Sequence, residues 1–169
     1  MISDSHGMNE NVKGVLKQVG HIDMLIHCGD VTSGDLYIES LVSCPVHMVA
    51  GNLDQGLHLP KEKLIELEGH RIWIVHGHTY RVNQGLKILR GLARRKGADI
   101  VMFGHTHKPY IELGEDMTIL NPGSLTYPRQ RDGNPTFLIM EIDEFGDTHF
   151  GHGYYHKDLN REDQEKGER

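Results

Sequence analysis

The chain has 169 residues, of which 37% are hydrophobic and 25% charged, a balance that excludes fibrous and disordered proteins and suits one domain of ordinary size. Lysine and arginine number 18 against 24 aspartates and glutamates, a net charge of −6, which argues against nucleic-acid binding through a basic surface. No apolar run approaches the ~18 residues of a membrane span, and no secretory leader is visible. The two cysteines, Cys28 and Cys44, are too few for a disulfide framework and lack zinc-type spacing, so a reduced, cytoplasmic protein with no membrane partner is expected.

Residues 1–156 read as one domain, and 157–169, almost wholly polar, as a disordered charged tail. Asn9 is placed to cap a first helix, in which Val12, Val15, Leu16 and Val19 recur at helical spacing. Residues 24–27 form a short apolar run expected to be a buried strand. A second helix over 33–43 would turn Leu36, Tyr37 and Leu41 inward, and 46–50 is another strand. Residues 63–67 and 71–75 flank Gly69 as a hairpin. Leu86, Leu89, Leu92 and Ala93 place a third amphipathic helix over 83–96, its basic run of Arg90, Arg94, Arg95 and Lys96 on the solvated face. A fourth apolar run covers 100–103, and shorter strand-like pieces follow at 110–113, 117–120, 137–143 and 148–153. The pattern predicts an α/β protein with mixed sheets, two of them packed together with helices outside.

Five of the apolar runs end in hard oxygens or imidazoles. Residues 1–3 lead to Asp4 and His6, and 24–26 to His27, Cys28, Gly29 and Asp30. Residues 46–50 lead to Gly51 and Asn52, 72–75 to His76, Gly77 and His78, and 100–103 to Gly104, His105, Thr106 and His107. Ligands bind beyond the carboxyl ends of strands in open α/β sheets, so these tips are expected at one sheet edge. Asp4 and His6, like His105 and His107, are two residues apart and would face one point in extended backbone. Glycines before Asp30, Asn52 and His105 permit a sharp exit and close approach to an ion or phosphate. Carboxylates, imidazoles and a carboxamide without thiolate suit a catalytic manganese, iron, nickel or zinc centre. The set exceeds what a single ion takes; two ions sharing a carboxylate use it better.

In order, D-x-H, G-D, G-N, H and G-H-x-H resemble the calcineurin-like metallophosphoesterase superfamily, here as Asp4-Ser5-His6, Gly29-Asp30, Gly51-Asn52, His76 and Gly104-His105-Thr106-His107. Asn121-Pro122-Gly123-Ser124 extends the likeness to its small stand-alone prokaryotic phosphodiesterase branch. The resemblance implies a β-sandwich of two mixed sheets flanked by helices, in four layers α-β-β-α. It also implies that Asp4, His6, Asp30 and His107 hold one divalent ion while Asp30, Asn52, His76 and His105 hold another. Manganese is expected, with nickel, iron, zinc, cobalt and magnesium also open. Such a pair, ~3.5–4 Å apart, lowers the pKa of a water from about 15.7 to roughly 7, and the hydroxide is expected to attack phosphorus in a small phosphoester. Asn52 and His78 are expected to touch that substrate.

The chain departs from the family pattern in two places. Only Met1, Ile2 and Ser3 precede Asp4, where relatives carry several apolar residues. Leu53-Asp54 stands where many larger relatives place a proton-donating histidine, so Asp54 becomes a candidate leaving-group acid, with His78 the other catalytic candidate. His27, Cys28 and Trp73 are expected to be buried and structural, and Arg129 and Arg131 to lie at the surface. Specificity is assigned to loop residues such as Leu53, Asp54, His58, Tyr80 and Tyr127. The alternatives are a phosphomonoesterase or nucleotide pyrophosphatase on the same site, or a non-catalytic scaffold like the trafficking-complex subunit that shares the fold but has lost ligands. An oligomer stays open.

Overall fold

The structure, a computed structural model, describes residues 1–156; the expected tail at 157–169 lies outside the described residues. In chain order the elements are α1 (Asn9–Val19), β1 (Leu25–His27), α2 (Asp35–Ser40), β2 (Val46–Met48), β3 (Glu62–Leu67), β4 (His70–Val75), α3 (Lys87–Lys96), β5 (Ile100–Met102), β6 (Pro109–Leu113), β7 (Thr118–Pro122), β8 (Thr136–Ile142) and β9 (Thr148–Tyr154). No helix among the described residues is long and apolar enough to cross a membrane.

Strand alternation sets the layers. Side chains on a strand point to opposite faces in turn. On β4, Ile72 and Ile74 join one core cluster while Trp73 and Val75 join another, and all four are fully buried. On β5, Ile100 and Met102 divide from Val101 in the same way. These strands sit in a mixed five-stranded sheet of order β3-β4-β5-β7-β6, with β4, β5 and β7 parallel and β3 and β6 antiparallel at its edges. One face is covered by α3 through Leu89 and Ala93. The other meets Ile26, Cys28 and Val49 of the second sheet.

That second sheet is built around the N-terminus. Strands β1 and β2 pair in parallel, and β8 and β9 form an antiparallel hairpin. Residues 1–3 join the two: Ile2 N–H donates to Ile26 O at 2.8 Å and Cys28 N–H to Ile2 O at 2.9 Å, while Leu138 N–H donates to Met1 O at 3.0 Å. The short lead into Asp4 is thus an interior strand position, with Ile2 buried. Helices α1 and α2 cover the outer face through Val12, Val15 and Ile38. The layers run α-β-β-α, as expected.

Three local expectations differ from the structure. Met8, not Asn9, precedes α1, and Asn9 instead donates from Nδ2 to Ser33 O at 3.3 Å. Helix α2 has only six residues and turns Ile38 inward, leaving Leu36 75% exposed and Tyr37 at the surface; Leu41 does pack on the core, just beyond the helix. The expected 83–96 helix begins at Lys87, because Gly85 takes a φ of +119° that a right-handed helix excludes.

Candidate metal centre

The strand tips converge on one edge, but not by strand alternation. Asp4, His6, Asp30, His105 and His107 all have left-handed backbone, with φ of +53°, +48°, +52°, +67° and +58°. The expected extended geometry for the i, i+2 pairs is therefore wrong: each ligand sits on a sharp turn leaving its strand. Non-glycine residues pay conformational strain there, of order 1–3 kcal/mol each, and persist only where the surroundings over-determine them. Here the surroundings do so. Asp4 N–H donates to Gly29 O (3.0 Å), His6 N–H to Asp30 O (2.9 Å) and Gly104 N–H to His76 O (3.0 Å), lacing the turns to one another.

The glycines before Asp30, Asn52 and His105 leave room for neighbouring ligand side chains. A Cβ on Gly51 would overlap Asp30 Oδ1, and one on Gly104 would overlap Ser3 Oγ and stand 2.9 Å from Asp4 Oδ2. A Cβ on Gly29 would meet His76 Nδ1 at 2.7 Å.

The ligand atoms form two overlapping groups. Asp4, His6 and His107 offer atoms within 4.8 Å of one another, and so do Asp4, Asp30 and His76. Asp4 Oδ1 is buried and has no hydrogen-bond partner of good geometry among the described residues. Yet His107, His6 and His76 each bring Nε2 near it, at 3.1, 3.9 and 4.0 Å. Tautomers follow from the far side of two rings. His76 Nδ1 donates to Cys28 O at 2.8 Å and His107 Nδ1 to Tyr127 O at 2.7 Å. In a neutral imidazole that leaves Nε2 as a lone pair. The lone pair of His76 faces Asn52 Oδ1 at 3.2 Å and Asp30 Oδ2 at 3.4 Å, and that of His107 faces His6 Nε2 at 3.3 Å. Around His76 acceptor faces acceptor, which repels unless a cation or an added proton lies between them. The donor set, the unpartnered Asp4 oxygen and the glycine cradle together fit divalent metal.

The titration behaviour agrees. Burial would raise Asp4 and Asp30, but His107 and His76 beside Asp4 hold it below the usual carboxylate range, and His76 with the Leu53 N–H brings Asp30 down to about 2. Burial would lower His76, yet the Asp30 bond and the charges of Asp4 and Asp30 raise it. Both carboxylates are thus ionised, and the pocket attracts positive charge.

The remaining expected residues divide. Asn52 stands at the His76 ring, and the His105 ring lies 5.1 Å from that of His76, centroid to centroid, while the His105 backbone N–H donates to Asp4 Oδ2 at 3.1 Å. The residue common to both tight groups is Asp4, whereas the resemblance gives the shared position to Asp30. His78 opens a short 3-10 turn, with its ring 5.4 Å from His76 and its buried Nδ1 unpartnered among the described residues. Asp54, expected as a leaving-group acid, has both carboxylate oxygens engaged by backbone. It is 3% exposed, and its two oxygens accept the N–H groups of Thr32 at 2.6 Å and Gly51 at 2.7 Å. It ties the loop after β1 to the loop after β2.

Some of the support escaped the sequence. Gly29 N–H donates to His27 Nδ1 at 3.2 Å, so Nε2 carries the proton and donates to Ser5 Oγ at 2.9 Å. Buried His27 thereby joins two ligand turns, and desolvation holds its pKa down to about 4. The Asn121-Pro122-Gly123-Ser124 motif gains a physical role: Asn121 Nδ2 donates to Gly104 O at 2.9 Å, and Ser124 Oγ to Asp4 O at 2.9 Å. Thr126 Oγ1 donates to Ser5 O at 2.7 Å. Only the motif itself signalled this in sequence; Thr126 carried no signal.

The sequence profile of the calcineurin-like phosphoesterase superfamily domain matches residues 1–145, and the chain belongs to that superfamily. A probable metallophosphoesterase of Methanothermobacter thermautotrophicus is 37% identical over 148 residues, covering 85% of this chain and 84% of its own. A crystal structure of a conserved Streptococcus pneumoniae protein, predicted to be a phosphoesterase, has a TM-score of 0.74 at 27% identity, over 90% of this chain and 94% of that one. Two more distant structures share the fold. An archaeal phosphodiesterase has a TM-score of 0.66 at 21% identity, covering 90% of this chain and 97% of that one. Entamoeba histolytica Vps29 complexed with zinc has 0.70 at 22%, covering 92% and 97%.

Proposed function

We propose that this phosphoesterase is a dinuclear, metal-dependent phosphodiesterase acting on a small phosphoester, carried by a single domain over 1–156. The observation that carries the reading is the buried Asp4 Oδ1, unpartnered and surrounded by imidazole nitrogens, two of them locked as lone pairs from behind. Asp4, His6, Asp30 and His107 would hold one ion, and Asp30, Asn52, His76 and His105 the other, with manganese the first candidate. Divalent ions there supply Lewis acidity, which makes a water acidic near neutral pH and screens charge on a phosphoryl group. The chain does the rest. Its laced turns fix the ligands before substrate arrives, so little reorganisation accompanies reaction. Asn52 and His78, at and beside the His76 ring, would donate hydrogen bonds to phosphoryl oxygens. The two free thiols, Cys28 and Cys44, suit a reducing cytoplasm.

The diester is preferred over the monoester because the motif order resembles the small phosphodiesterase branch, whose fold an archaeal phosphodiesterase shares. Retention of every ligand position favours an enzyme over a scaffold of the Vps29 kind. The test is hydrolysis of bis(4-nitrophenyl) phosphate with manganese. Turnover is expected in the wild type and lost in Asp30→Asn and His107→Ala. Full turnover in either variant refutes the assignment. Preference for 4-nitrophenyl phosphate would make the protein a monoesterase, and a stable fold without turnover on any divalent ion would make it a scaffold.

A further inference from the structure

Among the residues expected to shape specificity, two are occupied elsewhere. Tyr80 packs its ring on Trp73 at 5.2 Å and donates to Glu62 at 3.1 Å. Asp54 is committed to backbone N–H groups. Tyr127 differs. Its side chain is 59% exposed, while its ring lies 5.2 Å from that of His6, which lies 5.1 Å from that of His107. An aromatic surface therefore runs outward from the metal ligands and ends on an open tyrosine ring. The backbone under that ring is fixed at both polar atoms: Tyr127 N–H donates to Ser124 Oγ at 2.9 Å, and Tyr127 O accepts from His107 Nδ1 at 2.7 Å. The ring is anchored to a ligand yet left uncovered. Beside Asn52, Leu53 adds a second apolar side chain, 53% exposed, with its N–H on Asp30 Oδ1 at 2.9 Å.

Resting on the phosphodiesterase reading above, we propose that Tyr127 is a specificity residue that stacks a planar aromatic arm of the ester, so that aryl or nucleoside phosphodiesters are the substrate class. The polar centre holds the phosphoryl group and cannot distinguish one ester arm from another. The tyrosine face beside His6 supplies that distinction, because every base or aryl ring has a π-face to offer it. Leu53 adds apolar surface at the Asn52 turn.

The test compares two 2,2,2-trifluoroethyl phosphodiesters that share a leaving group. One carries thymidine and the other methyl as the second arm, and products are read by phosphorus NMR with the manganese-loaded full chain. The wild type is expected to favour the thymidine ester in kcat/KM. Tyr127→Ala is expected to shrink that preference about tenfold, mainly through KM, as loss of one base stack predicts, and Tyr127→Phe to preserve it. Metal content is measured for each variant, since the contacts of Tyr127 to His107 and Ser124 are main-chain and survive truncation. An unchanged preference in Tyr127→Ala, or no preference in the wild type, overturns this inference while leaving the phosphodiesterase standing. A wild type that cleaves neither ester overturns both.

Discussion

Replacing Asp54 by asparagine separates two roles for this carboxylate. Its oxygens accept the N–H groups of Thr32 and Gly51. Thr32 is β-branched and has a φ of +68°, a conformation such residues rarely adopt unaided. Gly51 lies against Asp30, so that tie also positions the Asn52 turn. In Asp54→Asn, one acceptor becomes an NH2 facing an N–H. A charged hydrogen bond is lost and a backbone donor is left unpaired, at a cost of about 2–4 kcal/mol. For a chain of this length that lowers Tm by roughly 5–15 °C. The assay pairs thermal unfolding with hydrolysis of aryl diesters spanning a range of leaving-group acidity. A structural tie predicts a lower Tm and the same fractional loss of rate for every leaving group. An unchanged Tm, with a loss that steepens as the leaving group becomes more basic, would make Asp54 the proton donor and refute the reasoning.

Gly51→Ala should weaken manganese binding roughly 10–100-fold by calorimetric titration, as loss of a ligand's support does, because the new methyl strikes the Asp30 carboxylate. Gly91→Ala is the control: it lies within α3 with open space around its Cβ, so binding should not change and stability should rise by about 0.5–1 kcal/mol. Binding that survives Gly51→Ala would show that the cradle is not needed. His27, with its pKa lowered by burial from 6.5 to about 4, should stay neutral in an NMR titration down to that pH. Since the unfolded chain takes up this proton first, its contribution is full above pH 6.5 and declines as pH falls toward about 4, by about 3 kcal/mol in all. Ring signals that titrate near pH 6.5 in the folded protein would contradict that.

Part of the sandwich was legible because β4 and β5 are nearly unbroken apolar runs, which need cover on both faces; the four-layer order came from the family resemblance. The short α2 was misread because six residues barely complete a turn and a half, and the pattern of Leu36, Tyr37 and Leu41 needed a longer helix. The ligands were legible as motifs, since each strand end announces its donor. Their geometry was not: nothing in Asp4, His6 or His107 signals left-handed backbone, which the packing of neighbouring loops imposes. The tie made by Asp54 was hidden for a related reason. Its partners Thr32 and Gly51 lie on two different loops, and only the fold shows their N–H groups meeting at one carboxylate.

Anomalous diffraction from crystals grown with manganese tests the centre most directly. The account predicts two peaks about 3.5–4 Å apart, one among Asp4, His6, Asp30 and His107, the other among Asp30, Asn52, His76 and His105. A single peak, or manganese bound away from these side chains, would contradict it.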